Sequence, residues 1–351
     1  MEYDFLVYVG RFAPYHSGHH HVALEALKMS KHLIYVIGSH DRPRCTRNPF
    51  TTEERIQIIR SAYETVEFDS RIHFAPQVDY TYNDEKWLAA IQSSINAVTY
   101  RYFQNPDIYA KPKIGIIGYN KDQSSFYLDK FRRLYDVVEI VPKNLYNATD
   151  IRHHLFDPRI DIPEGAFTTK DHYKTVVGYS NRQELITEYN YVQDEKEKWS
   201  NTPYPPTFNT VDAVVTQSGH ILLVKRAGPL GAGLWALPGG YVKIDKTHLD
   251  SVIEELREET VLDIPTPALI GSLSKRHVYD DPHRSVRGRT ITEAFHFRLN
   301  DAYDLPKVKL PKVKGSDDAA EADWKTFAEF SGMRSQLFED HFSICEHMLG
   351  F

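Results

Sequence analysis

Two groups of residues in this 351-residue chain have the types and spacing for phosphate chemistry. The first lies in YVGRFAPYHSGHHH, where Gly10, Arg11, Phe12, His16, Gly18 and His19 directly follow an apolar run and open a helical segment. A glycine-containing turn exposes backbone N–H groups and a helix N-terminus adds partial positive charge, so phosphates are the natural guests. His16 and His19 flank Gly18 and can donate to phosphate oxygens without a catalytic nucleophile. A single histidine here would read as a helix cap, but so many such residues at one strand-to-helix junction favour the phosphate reading. His20 and His21 read as helix surface. In NATDIR, at 147–152, Asn147 and Thr149 form a small polar turn, and Arg152 projects one helical turn in. Backbone donors plus a guanidinium fork suit a polyphosphate. Alone, the hexapeptide would be an ordinary capped helix; beside the first motif it reads as a second phosphate contact.

The second group lies in GGYVKIDKTHLDSVIEELREETVL at 239–262. On a helix, Leu249, Val252, Ile253, Leu256 and Thr260 fall on one stripe, the buried face. Glu255, Glu258 and Glu259 project from another arc at i, i+3 and i+4. Three carboxylates that close repel unless protons or a divalent cation neutralise them, and oxygen donors suit Mg²⁺ or Mn²⁺. A solvated acidic face is the alternative; the Gly239-Gly240 turn, placed to bring loop backbone beside the cluster, favours the metal.

The elements that position these groups change character along the chain. Over the first 155 or so residues, apolar runs at 5–9, 33–38, 71–75, 113–118 and 137–141 alternate with helical segments, from about Gly18, from Thr52 and around Trp87. Strict alternation implies right-handed βαβ units: an α/β, Rossmann-like, doubly wound parallel sheet. A polar stretch over 156–200 ends in NTPYPPTF, whose prolines forbid a continuous helix. Beyond it, VDAVVT, a Ser-Gly turn and ILLVKR read as a hairpin, 248–260 as one strong helix and TITEAFHFRL as a strand. The last 35 or so residues, after Gly315, read as mostly one helix approached by Trp324. We therefore divide the chain into a domain over 1–185, a linker over 186–207 and an α+β domain with a mixed sheet over 208–351.

The length exceeds what one core usually supports, and 41% apolar residues supply two. A net charge of -6, with Lys and Arg scattered, argues against a general nucleic-acid or membrane-surface binder. The two cysteines, Cys45 and Cys345, have no metal spacing and read as inert thiols in a reducing compartment. With no secretory pattern and no apolar stretch of membrane-spanning length, the expectation is a cytoplasmic protein. A homo-oligomer is left open.

The first motif resembles the HxGH signature of the nucleotidyltransferase superfamily, and GRFxPxHxGH resembles the archaeal type of nicotinamide mononucleotide (NMN) adenylyltransferase. NPFTTEER at 48–55 and NATDIR resemble further segments of that family, with Asn147 where its SxTxxR motif has serine. The resemblance implies attack of the mononucleotide 5′-phosphate on the α-phosphorus of ATP, giving NAD and pyrophosphate. It assigns Arg11, His16, His19 and Arg152 to the ATP phosphates, with Mg²⁺ shielding them. Trp87 then either stacks on the pyridine ring or packs in the core. A different acceptor, such as pantetheine phosphate or nicotinate mononucleotide, is the competing reading of this domain.

The second motif resembles the Nudix box, Gx5Ex7REUxEExGU, through Gly240, Glu255, Leu256, Glu258, Glu259 and Leu262. Lys246 replaces its first glutamate, Glu254 its arginine and Val261 its last glycine. The two charge reversals suggest an exchanged Lys246–Glu254 ion pair. Together the motifs resemble the adenylyltransferase–Nudix fusion type, which implies ADP-ribose as second substrate, cut to AMP and ribose 5-phosphate. On that reading Arg284, Arg287 and Arg289 grip phosphates and ribose, or else form a basic surface loop. Trp235 stacks on adenine or packs in the core, and Glu293 is a candidate general base. The alternative is a second domain that senses nucleotide without cutting it.

Overall fold

The structure, a computed structural model, describes residues 1–63, 70–102, 111–119, 127–141, 146–157, 159–180, 182–299 and 310–351. It divides into two units, Met1–Ile186 and Thr187–Phe351. The division follows the change from α/β alternation to hairpins.

In the first unit the order is β1 (Tyr3–Gly10), α1 (Ser17–Met29), β2 (Ser30–Ile37), α2 (Thr52–Ser61), β3 (Ile72–Pro76) and α3 (Asp84–Tyr102). There follow β4 (Ile114–Gly118), α4 (Tyr127–Phe131), β5 (Asp136–Glu139), α5 (Ala148–Phe156) and α6 (Lys170–Ser180). All pairings are parallel, in the order β3-β2-β1-β4-β5. Along β1, Leu6 and Tyr8 pack with Val22, Ala26 and Ile58 of α1 and α2. Val7 and Val9 pack with Ile91 and Ile95 of α3 on the other face. Burial on both faces is what a parallel sheet requires. Strand order reverses between β1 and β4, and the crevice beyond the carboxyl end of β1 is where such sheets bind ligands. The Gly10–Gly18 loop occupies that position.

The stretch 186–207, expected to be a linker, is mostly helical: α7 runs Gln183–Lys198, and Val192 joins the second unit's core. Its polarity reflects an exposed face rather than an absent one.

The second unit continues with β6 (Thr207–Gln217), β7 (His220–Arg226), β8 (Trp235–Ala236), β9 (Gly239–Tyr241), α8 (His248–Thr260) and α9 (Thr266–Gly271). After these come β10 (Leu273–Tyr279), β11 (Arg289–Arg298), β12 (Ala319–Thr326), α10 (Phe327–Ser331) and α11 (His341–Leu349). The sheet order is β10-β11-β6-β7-β12, with β9 added to β6 and β8 to β7. Among the described strands only the β6–β11 pairing is parallel, so the sheet is mixed. Ser218 and Gly219, both with positive φ, make the expected tight turn between β6 and β7. The segment after Gly315 differs from expectation: Trp324 lies within β12, and two short α-helices with a 3-10 turn between them follow. The core against α8 is built from Val211, Ala213, Leu222, Val252, Leu256 and Phe295.

Candidate active sites

In the first unit, three side chains from three helices hold alternate carbonyls of the loop after β1. Arg55 of α2 donates to the Arg11 carbonyl at 2.9 Å. Arg152 of α5 donates to the Ala13 carbonyl at 2.7 Å, and His172 of α6 to the Tyr15 carbonyl at 3.2 Å. The loop is thereby fixed before any ligand arrives. Phe12, at φ 52, folds back so that a Cβ on Gly10 would meet its ring at 2.9 Å. Gly10 and Phe12 therefore serve the loop's shape, and Phe12 is buried.

His16 is the N-cap of α1, its Nδ1 accepting from the Gly18 N–H at 3.2 Å, which places its proton on Nε2. The capping and phosphate readings are thus not exclusive for this residue. Its ring lies 3.8 Å from that of His19, which in turn stacks on Tyr15 at 5.6 Å. His20, expected at the surface, is half-buried: Tyr15 Oη lies 3.3 Å from its Nδ1, and burial pulls its pKa down to about 4.

Asn147 caps α5 by accepting from the Thr149 N–H at 2.9 Å. Thr149 Oγ1 accepts from Arg152 Nη2 at 3.0 Å. Arg152 is buried, and burial followed by the charges of Arg11 and Arg47 lowers its pKa to about 9. Arg11, Arg47 and Arg152 thus repel one another beside this loop, and a polyanion would relieve their repulsion. The sequence reading missed Arg47 and gave Arg55 no role, although Arg55 lies in the quoted NPFTTEER. Trp87 packs against Phe131 at 5.7 Å as part of the core and keeps part of its surface exposed.

In the second unit, β9 and α8 bring Gly240 and Glu255 together: a Cβ on Gly240 would stand 2.5 Å from the Glu255 carboxylate. Glu259 reaches the Gly239 N–H at 2.9 Å and is buried. Burial raises its pKa to about 8, against the effect of that hydrogen bond. Burial also raises Glu255. The Lys243 ammonium sits 3.3 Å from Glu255 and 3.2 Å from Glu258, a cation shared by two carboxylates. Among the described residues no three acidic, His or Cys side chains converge tightly enough to make a ready metal cage. Lys243 marks where a cation is held, and hard carboxylate oxygens around it fit Mg²⁺ or Mn²⁺. The exchanged pair is present too: Lys246 Nζ donates to Glu254 across the loop–helix junction.

The arginines of the RSVRGRT segment separate. Arg284 turns inward: its side chain is 2% exposed and forms a two-pronged pair with Asp340 at 3.0 Å for each bond. Such a buried guanidinium needs its partner, which accounts for the inward turn. Arg289 donates to the Asp280 carbonyl and lies 3.6 Å from the Asp280 carboxylate. Arg287 remains half-exposed over Tyr241, donating to its hydroxyl at 3.1 Å. Trp235 is buried, with the Lys225 and Lys325 ammoniums 5.6 and 4.4 Å from its ring centre, and so belongs to the core. Glu293 is engaged by His248 at 2.8 Å and Arg276 at 3.6 Å, which argues against a role as free base. Sequence reading missed Lys243, and also Arg226, which packs over Phe338 at 4.2 Å and feels the charges of both Arg287 and Glu259.

Residues 7–154 match the cytidylyltransferase-like family and residues 206–347 the NUDIX domain family. A nicotinamide/nicotinic acid mononucleotide adenylyltransferase from Acinetobacter baylyi is 34% identical over 168 residues, 47% of this chain and 83% of the relative. An ADP-ribose pyrophosphatase from Methanocaldococcus jannaschii is 30% identical over 138 residues, 39% of this chain and 71% of the relative. The crystal structure of a bifunctional NMN adenylyltransferase/ADP-ribose pyrophosphatase from Francisella tularensis, complexed with AMP and a manganese ion, superposes with a TM-score of 0.87 at 32% identity. That superposition covers 99% of both chains, so both units are matched in one protein. The chain belongs to the family of bifunctional NMN adenylyltransferase/ADP-ribose pyrophosphatases.

Proposed function

We propose that the first unit transfers the adenylyl group of ATP to NMN, giving NAD and pyrophosphate, and that the second hydrolyses ADP-ribose to AMP and ribose 5-phosphate. The observation that carries this reading is the 99% mutual coverage with a relative that bears both activities in its name. Both reactants of the first step are anions, so catalysis is positioning and charge stabilisation. Arg11, His16, His19 and Arg152 bind the ATP phosphates, Arg47 adds to their field, and Asn147 and Thr149 fix the α5 terminus beside them. The exposed part of Trp87 is the contact offered to the pyridine ring.

In the second unit Glu255, Glu258 and Glu259 hold the divalent ion, Mg²⁺ or Mn²⁺, and Gly239 and Gly240 let the backbone approach. Such an ion, when bound, polarises the diphosphate and makes a bound water acidic enough to attack. Arg287 and Arg226 meet the phosphates from the opposite side. Because Lys246 and Glu254 pair, the two charge reversals in the box compensate each other and give no support to a silent, sensing domain.

The test uses one preparation and two assays: NAD from NMN and ATP with Mg²⁺, and AMP from ADP-ribose with Mg²⁺ or Mn²⁺. Glu258→Gln should abolish the second alone and His19→Ala the first alone. NAD formation with ADP-ribose left intact would overturn the assignment of the second unit.

A further inference from the structure

Tyr241 is 46% exposed, although it follows Gly240 directly on β9, the short strand that pairs with β6. Its ring is nevertheless held. Phe208 meets it edge-on at 5.9 Å, Trp199 supports Phe208 at 6.1 Å, and the Arg287 guanidinium carbon stands 5.4 Å from its centre. The hydrogen bond from Arg287 to its hydroxyl fixes the remaining rotation. Thr210 and Tyr241 are register partners, so the ring shares a sheet face with Phe208 and points away from α8. An aromatic ring fixed by its neighbours on a strand, yet nearly half exposed, contributes little to the core. What it offers is a flat surface at low entropic cost.

Its position gives that surface a purpose. The preceding residue, Gly240, is the one against which the Glu255 carboxylate packs, and Arg226 lies within electrostatic reach of both Glu259 and Arg287. Carboxylates, Arg226, Arg287 and Tyr241 therefore follow one another, Arg226 by the charges it feels from Glu259 and Arg287, and Arg287 by its hydrogen bond to Tyr241, from a cation site past two guanidiniums to an aromatic surface. That order is the order of parts in a nucleoside diphosphate: metal-bound phosphate, second phosphate, base.

We propose that Tyr241, backed by Phe208 and clamped by Arg287, is the platform on which the substrate's purine base stacks. This rests on the reading of the second unit as an ADP-ribose hydrolase. The platform sets specificity and not rate: a purine presents more stacking surface than a pyrimidine, and a ribosyl diphosphate without a base gains nothing from it.

The full chain is assayed with ADP-ribose and Mn²⁺, as the parent, Tyr241→Ala and Tyr241→Phe, with NAD synthesis as the folding control. Tyr241→Ala should raise KM about tenfold, within the usual worth of one stacked base, and leave kcat within about twofold. Tyr241→Phe should stay within about threefold of the parent in KM, because the ring remains. Equal KM for Tyr241→Ala and parent, or equal losses for both variants, overturns the proposal. Should the parent itself fail to cut ADP-ribose, the hydrolase reading falls separately. AMP binding, followed by tryptophan fluorescence, then decides the platform: weaker binding by Tyr241→Ala supports it and unchanged binding removes it.

Discussion

His172 donates its Nε2–H to the Tyr15 carbonyl at 3.2 Å while its Nδ1 accepts from the Thr168 N–H at 3.3 Å. Both ring nitrogens are therefore used, which fixes one neutral tautomer. Tyr15 in turn stacks on His19 and joins its hydroxyl to Tyr35 at 2.9 Å. A helix some 150 residues along the chain thus sets the ring of a histidine in the phosphate loop. His172→Leu, which fills the space without a donor, should lower the kcat for NAD synthesis at least about tenfold. His172→Gln, able to donate to the same carbonyl, should recover most of that loss. ADP-ribose hydrolysis, which belongs to the other unit, should not move in either variant. If His172→Leu keeps NAD synthesis within twofold, the residue only packs.

The same tautomer makes the first unit sensitive to acid. Burial pulls the pKa of His172, and likewise that of His20, down to about 4, whereas an unfolded histidine titrates near 6.5. Above 6.5 both are neutral in either state and the full stability is present. Between 6.5 and 4 the unfolded chain binds protons that the folded one refuses, so stability falls as the pH falls, by up to ~1.4 kcal/mol per pH unit for each histidine. Urea unfolding at pH 7.5, 6 and 5 should show this loss for the first unit. His172→Gln, with one titrating group fewer, should have the shallower slope, and equal slopes would exclude His172 as a source.

The legible parts were those set by periodicity and by local motifs. β1, α1, α8 and β11 follow from apolar alternation, a helical stripe and a strand pattern within single segments. His16 and Gly18 were legible because their spacing alone sets them at one helix terminus, and the sequence likewise showed that Glu255, Glu258 and Glu259 share the helix α8. What was not legible depends on contacts far apart in sequence. Arg284 resembles Arg287 in type and neighbourhood, and Asp340, 56 positions away, with Asp212 at 4.0 Å, turns it inward. Trp235 and Tyr241 are both aromatic residues beside glycines, and the hydrogen bond from the Leu237 N–H to His341 Nδ1 and the placement of Lys325 over Trp235 decide which is buried. His172 carries no local signal at all, since its partner is a backbone carbonyl.

Lys246 and Glu254 give a direct test of compensation within an altered motif. Their side chains are about one-third exposed, so solvent screens the pair and it alone adds little to stability. Replacing Lys246 by Glu, however, sets two carboxylates against each other where the loop meets α8. We expect Lys246→Glu to reduce ADP-ribose hydrolysis severalfold, and the double variant Lys246→Glu/Glu254→Arg to restore it. Comparison of the four proteins as a double-mutant cycle gives the coupling. Full activity in Lys246→Glu with Glu254 untouched would show that the pair does not hold the loop.

Lys243 bears on metal affinity with the opposite sign from the carboxylates around it. Its ammonium bridges Glu255 and Glu258, so a divalent ion must displace it to reach both. Lys243→Met keeps the length and removes the competitor, leaving two carboxylates whose mutual repulsion an incoming cation relieves. The Mn²⁺ concentration for half-maximal ADP-ribose hydrolysis should fall severalfold. The Mn²⁺-induced rise in Tm of the second unit should grow at a given concentration, because binding to the folded state alone stabilises by RT ln(1 + [L]/Kd). A higher half-saturating concentration, with a smaller Tm shift, would instead mean that Lys243 holds the carboxylates in place for the ion.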